Sequence, residues 1–336
     1  MRSLTVGRGP GAVDVLVSGL MFFDLVLTGL DHGPVPGTEV WTKDSGTGPG
    51  GIANFAVALS RLGLSTSLSA AFGDDAFGRL CWETLERDEG VDLSRSRRLP
   101  GWPTPVTVSL AYDGDRALVT HGEPVPVTAD ELIGTPPESR AAIVHLGLEP
   151  AAWIPQAHRA GTLVFAEVGW DPSQQWSGTM LDQLAHCHAF LPNAEEAMAY
   201  TRTSTPRAAV AKLADLVPLA VVTCGRDGAI AIDSGTGEEA WAPALAVDAV
   251  DTTGAGDIFG ASLVAGTLAG WPLADRLHFA NLCAGLSVQK VGGAPAAPGW
   301  PGIARWWHST HDAQLRNDYA FLDQVMEMEQ PGGTLP

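Results

Sequence analysis

The residues best suited to chemistry form the string Val250-Asp251-Thr252-Thr253-Gly254-Ala255-Gly256-Asp257. Small residues at 254 to 256 let the backbone turn tightly and bring several N–H groups close to a bound group. Leu245 to Val250 reads as a short strand before the turn, and Ile258 to Leu268, rich in Ala and Leu, as a helix after it. A helix N-terminus offers unpaired donors and partial positive charge, which suits a phosphate or a developing phosphoryl charge. Asp257 does not fit a plain phosphate cradle, because it sets a carboxylate beside the anion. A base that takes a proton from an attacking hydroxyl has to sit there. The competing reading is an Asp that only caps a Gly-rich turn.

Gly46-Thr47-Gly48-Pro49-Gly50-Gly51-Ile52-Ala53-Asn54 is the second informative stretch. Gly46, Gly48 and Gly51 satisfy G-x-G-x-x-G, but Val40 to Ser45 is too polar for the buried strand that a dinucleotide fingerprint needs. The helix that follows carries Phe55, Ala58, Leu59 and Leu62 on one face and stops at Gly63. Asn54 at its start suits either a hydroxyl-binding amide or an N-cap. Asn193-Ala194-Glu195-Glu196 opens another helix, and Gly225 to Gly228 after Thr223 reads as a hairpin turn. His186-Cys187-His188 and the His308, His311 pair lack a complete ligand set at recognised metal spacing. There is no GxxxxGK[ST] string, which excludes a P-loop kinase.

These residues need a scaffold to converge. At 336 residues, the length allows one large α/β domain with an insertion, or two domains. A formal charge of -18 repels nucleic acid and anionic membranes, so neither is an expected partner. Four scattered cysteines with no CxxC fit buried thiols in a reducing cytoplasm. Val13 to Leu30 is interrupted by Asp14 and Asp24, so it reads as strand and not as a signal or membrane segment. Apolar runs at 13–19, 65–72, 143–148, 163–168, 189–191 and 219–223, with helical stretches between, predict a mostly parallel sheet covered on both faces. Thr104 to Tyr112 and Arg116 to Thr120 instead form a hairpin around Asp113-Gly114-Asp115.

The string at 251–257 resembles the signature of the ribokinase-like (PfkB) carbohydrate kinases. Gly50-Gly51 with Asn54 and Ala56, the Gly73-Asp74-Asp75-Ala76-Phe77-Gly78 turn, Asn193 to Glu196 and the Thr223-Cys224-Gly225 turn follow that family's order, from about residue 13 to 300. Three departures stand out. Pro49 replaces the usual first glycine, Gly51 stands where some members carry a lysine, and Glu167 where an Asp is usual.

The resemblance implies a ribokinase-like α/β fold with a mostly parallel central sheet, flanking helices and a small β-sheet lid. It divides the chain into a core (1–30, 47–100, 121–325), a lid (31–46, 101–120) and a C-terminal tail (326–336). It makes Asp257 the base and Gly254, Ala255 and Gly256 the anion hole. Asp24, Gly50, Gly51, Asn54 and Glu167 would hold the sugar. ATP would lie against Asn193, Thr223, Gly225, Gly228 and Asn281. Glu196 would support a hydrated Mg²⁺. Asp251 and Thr253, with Gly292-Gly293-Ala294, would line a monovalent-cation site for an ion such as K⁺. The implied activity is transfer of the γ-phosphoryl of ATP to a hydroxymethyl group of an unphosphorylated sugar, since few basic residues lie near the expected pocket. Phe22, Phe23, Trp41, Trp102 and Trp170 could stack on a nucleobase, so a nucleoside kinase is the alternative. A non-catalytic sugar-binding protein and a nicotinamide dehydrogenase are the other rivals. The lid's outer face, otherwise an open edge, is the expected homodimer surface.

Overall fold

Strands buried on both faces lose their polar alternation, and the first strand, β1 (Val13–Ser18), is buried at every position. The computed structural model describes residues 11–112, 115–171 and 173–328. The tip of the expected 113–115 hairpin and the chain after 328, most of the expected tail, lie outside them. The remaining strands are β2 (Met21–Thr28), β3 (Asp44–Gly51), β4 (Thr66–Ser69), β5 (Ala71–Gly73), β6 (Arg97–Leu99), β7 (Val106–Tyr112) and β8 (Asp115–His121). They continue with β9 (Ser139–His145), β10 (Leu163–Glu167), β11 (Ala189–Phe190), β12 (Leu219–Thr223), β13 (Ala229–Asp233) and β14 (Glu238–Ala242).

The central sheet runs β14-β13-β12-β11-β10-β9-β1-β4, parallel except for β13 and β14 at one edge. Alternate residues feed two apolar layers. Val15, Val17, Ile143, Phe165 and Val221 face one layer, and Leu16, Val144, Val164, Phe190 and Val222 the other. The first layer also takes the helices Ile52–Arg61, Ala255–Leu268 and Leu273–Ser287.

A separate four-stranded sheet runs β3-β2-β7-β8. Its first two strands therefore come from Met21–Thr28 and Asp44–Gly51, which shifts the expected boundary of the insert. The glycine-rich 46–51 stretch, expected as a loop, is a strand for a steric reason. A Cβ at Gly48 would lie 2.9 Å from the Pro295 ring and one at Gly50 only 1.9 Å from Asp24 Oδ2. Residues 243 to 250 form no strand, contrary to the expectation for Leu245 to Val250: β14 ends at Ala242, and the chain then runs irregularly to Asp251.

Asp75 fastens the base of the small sheet. One of its oxygens caps the helix Ala76–Glu83 through Gly78 N–H, and the other accepts from Thr104 N–H just before β7. The basic run 95–98 is used locally. Arg95 donates to the Ile133 and Thr135 carbonyls, Arg97 to that of Glu131, and Arg98 lies over the Trp82 ring.

Candidate active site

In an open parallel sheet the carboxyl ends of the strands form the ligand crevice. Here β9 ends on His145, β10 on Glu167 and β12 on Thr223, while Asn193 follows β11 by a short step. Register sets them in pairs: Glu167 lies beside His145, and Asn193 bridges to Thr223. The small sheet adds Asp24 from β2, which is 8% exposed and packed against Gly50.

The helix Ala255–Leu268 enters the crevice behind a turn that only glycine can make. Gly254, its N-cap residue, has φ +72, and a Cβ there would lie 2.9 Å from Gly293 Cα and 3.1 Å from the Asn54 amide. Asp257 is the third residue of that helix and makes no capping bond, so the capping alternative for it falls away. The N–H groups of Gly256 and Asp257 open the helix, where no intrahelical acceptor exists. Asn54 is likewise inside its helix, whose N-cap is Gly51 at φ 58, so it is not an N-cap either. Its Nδ2 donates to Asp257 Oδ2 at 2.7 Å. Its Oδ1 is buried without a partner.

Charge in the crevice is crowded. Burial, then the Glu167 carboxylate, raise Asp257 well above the usual carboxylate range, while the Asn54 hydrogen bond and His145 pull it back. Burial and the Asp251 carboxylate push Asp24 up to about 7, against the pull of Arg116. Burial also pushes Glu196 up to about 7, with Glu167 adding to the rise. His145 Nδ1 lies 2.9 Å from Glu167 Oε1. Burial works against a charged His145, yet Glu167 outweighs it and holds its pKa above the ordinary value.

The other expected residues divide by what they touch. Asn193 and Glu196 form a capping box, each side chain accepting from the other's N–H at 2.9 Å. Asp251 accepts from Thr253 N–H and Gly292 N–H, and so ties the turn to the 292–294 segment. Gly225 and Gly228 both have positive φ in the turn joining β12 to β13, and a Cβ at Gly228 would strike the Ala242 carbonyl at 2.0 Å. Asn281, 6% exposed, donates to the same carbonyl, so its amide anchors the helix Leu273–Ser287 to β14.

Of the aromatics, Phe23 stacks on Phe77 and Trp102 is buried, whereas Trp41 is 83% exposed. His186 and His188 sit against His158 and Phe165, and no metal-binding group of His, Cys, Asp and Glu occurs among the described residues.

Two site residues escape sequence reasoning. His145 reads as an ordinary strand residue until β10 brings Glu167 beside it. Arg116, on β8 of the small sheet, donates from Nη1 to Thr252 Oγ1 in the anion-hole turn. Ser109 of β7 lies 3.2 Å from Thr253 Oγ1, so the small sheet touches the turn twice. A basic residue directly after an Asp-Gly-Asp turn is the one sequence signal that marks Arg116.

Residues 13–299 match the pfkB family carbohydrate kinase profile. The chain belongs to that family. The kinase is 28% identical over 312 residues to a ribokinase of Schizosaccharomyces pombe, covering 85% of this chain and 95% of the relative. It is 32% identical over 251 residues to the fructoselysine 6-kinase of Escherichia coli, covering 72% and 90%. Its fold is that of ribokinase. The structure of Arabidopsis thaliana ribokinase complexed with ribose and ATP superposes with a TM-score of 0.72 at 24% identity, covering 88% of this chain and 98% of the other. No helix among the described residues is long and apolar enough to cross a membrane.

Proposed function

We propose that this kinase transfers the γ-phosphoryl group of ATP to a hydroxymethyl group of an unphosphorylated sugar or sugar-like acceptor, with Asp257 as general base. One observation carries the reading: a carboxyl with a raised pKa stands in the first turn of a helix, directly behind a Gly-rich anion turn, oriented by Asn54. The hydroxymethyl O–H gives its proton to Asp257 as its oxygen bonds to the γ-phosphorus and ADP leaves. Donors at Gly254 to Asp257 and the Arg116 guanidinium supply positive charge where the transferring group becomes negative. The bound ribose and ATP named for the Arabidopsis ribokinase support these two ligand classes.

Asp24, Gly50, Gly51, Asn54 and Glu167 are assigned to the acceptor, whose hydroxyl the unpartnered Asn54 Oδ1 can accept from. Asn193, Thr223, Gly225 and Gly228 are assigned to the nucleotide. Mg²⁺ fits the chemistry here: Glu196 and Glu167 raise each other's cost of ionisation, a cost that a nearby cation relieves. Bound through water at Glu196, it supplies charge neutralisation to the phosphates. A monovalent cation such as K⁺ at Asp251 and Thr253 would rest largely on backbone carbonyls, because both Asp251 oxygens already accept N–H groups.

A charge argument supports an unphosphorylated acceptor. Asp24, Glu167, Glu196, Asp251 and Asp257 outnumber Arg116 and His145, and the basic run at 95–98 is spent on backbone carbonyls and Trp82. A dehydrogenase reading loses its basis, because Gly46 to Gly51 lies in a strand and not in a βα turn. The exposed edge strand β8, with Leu118 54% and Val119 62% exposed, is assigned to a homodimer contact through the lid. Buried thiols at Cys81, Cys187 and Cys283, pushed to about 12, suit a cytoplasmic protein.

The test is ATP consumption against pentoses, hexoses, nucleosides and their phosphate esters at matched concentrations. Turnover of an unphosphorylated acceptor is expected. Preference for a sugar phosphate over its parent sugar contradicts the assignment.

A further inference from the structure

A cavity of about 340 Å³ lies beside the catalytic crevice, within the size range of small-molecule sites and roomy enough for roughly eleven waters. Its walls are mostly apolar, with Trp102, Leu132 and Ile154 among them. Two of its lining residues are fully buried and carry unmatched polar atoms, Ser69 Oγ and Trp153 Nε1. An N–H donor left unpaired in an apolar wall is costly unless something in the cavity accepts it. The indole N–H of Trp102 shows the contrast, since it is satisfied by the Pro124 carbonyl.

The cavity and the catalytic crevice share one wall. His145 lines the cavity, holds Glu167 with its Nδ1, and acts electrostatically on Asp257. Gly19 to Met21, also at the cavity, lead directly into β2 and Asp24.

We propose that the cavity receives a second, largely apolar part of the acceptor, attached to the sugar whose hydroxymethyl group faces Asp257. Trp153 and Ser69 recognise a carbonyl or ring nitrogen on that part. The acceptor class is then a sugar bearing a planar amide or heterocyclic substituent, and not a bare pentose or hexose. This rests on the kinase reading for the sugar half alone.

Equilibrium binding separates the two halves, because it needs no turnover. Calorimetry compares D-ribose with uridine, and D-fructose with 1-benzamido-1-deoxy-D-fructose. At least one substituted sugar is expected to bind about tenfold or more tighter than its parent, the scale set by an added group in a matching pocket. Ala71→Leu, which fills the cavity, should erase that gain and leave the parent sugar's Kd unchanged. Trp153→Phe, which keeps the aromatic wall but lacks the N–H, should remove at least about tenfold, as loss of a matched hydrogen bond does. It also stands as the test if the Leu variant does not fold. Parent sugars binding as tightly as their substituted forms would mean that the cavity holds only water, and would overturn the proposal. So would a gain that both variants retain. Preferential binding of a substituted sugar with no phosphoryl transfer would refute the kinase reading while upholding the cavity.

Discussion

Asn54 and Asp257 are 203 residues apart in sequence, and the Asn54 amide nitrogen lies 2.7 Å from the Asp257 carboxylate. The bond joins the first turns of two helices that pack together in the same apolar layer. It gives Asn54 a second task besides meeting the sugar: it fixes which lone pair of the base faces the acceptor.

Asn54→Ala should therefore lower kcat as well as raise the acceptor KM. A hydrogen bond to a charged group contributes about 1.5–3 kcal/mol, so a loss of roughly ten- to hundredfold in kcat is expected. ATP affinity should be kept. Steady-state kinetics with calorimetric ATP titration check this; a change in acceptor KM alone would confine Asn54 to sugar binding.

Crowded carboxyls set a pH dependence of stability. Asp24 and Glu196 both have folded pKa values raised to about 7, so between their unfolded values and 7 the native state binds more protons than the unfolded one. Stability should accordingly fall as pH rises across that window. His145, also raised, acts in the same direction: its contribution is complete below its unfolded pKa and is lost as pH rises through its folded value. Melting temperature of the ligand-free protein should decline from pH 5 to pH 8. Asp24→Asn should flatten the slope by roughly 3–4 kcal/mol over the window.

Gly254→Ala tests the turn itself. The left-handed φ of +72 costs a non-glycine residue about 1–2 kcal/mol, and the new methyl would press on Asn54. A lowered melting temperature together with a lowered kcat is expected. Loss of stability with kcat intact would show that the turn is scaffold only.

The small sheet's grip on the anion turn is tested at Arg116. Arg116→Gln removes the donor to Thr252 and a positive charge near Asp24. Acceptor kcat/KM should fall by about ten- to a hundredfold or more, in the range of losing one preorganised donor. ATP hydrolysis without acceptor should rise if the sheet also excludes water. Unchanged values for both would remove the lid role.

The ends of the site are readable in the sequence, and its middle is hidden. Asp257 and the Gly254 turn are contiguous, so their chemistry survives without a fold. The parallel strands are legible because a short, uninterrupted apolar run between turn residues fits a strand buried on both faces. β3 is not, since its glycines make room for Pro295 and Asp24, neighbours that only tertiary contact supplies. His145 and Arg116 are hidden for the same reason: their partners lie 22 and 136 residues away, at Glu167 and Thr252. The strand expected at 245–250 fails because its apolar residues precede an irregular connection instead of a sheet position.

Asp257→Asn is the most direct test of the central claim. It keeps size and helix geometry but removes the basic lone pairs, so general-base loss should lower kcat by about 10² to 10⁴, or roughly 3 to 5 kcal/mol of barrier. ATP affinity, read by calorimetry on the same variant, should stay level or tighten, because a negative charge beside the γ-phosphate is gone. A kcat within about threefold of wild type, under 1 kcal/mol of barrier, would contradict the assignment of Asp257 as the base.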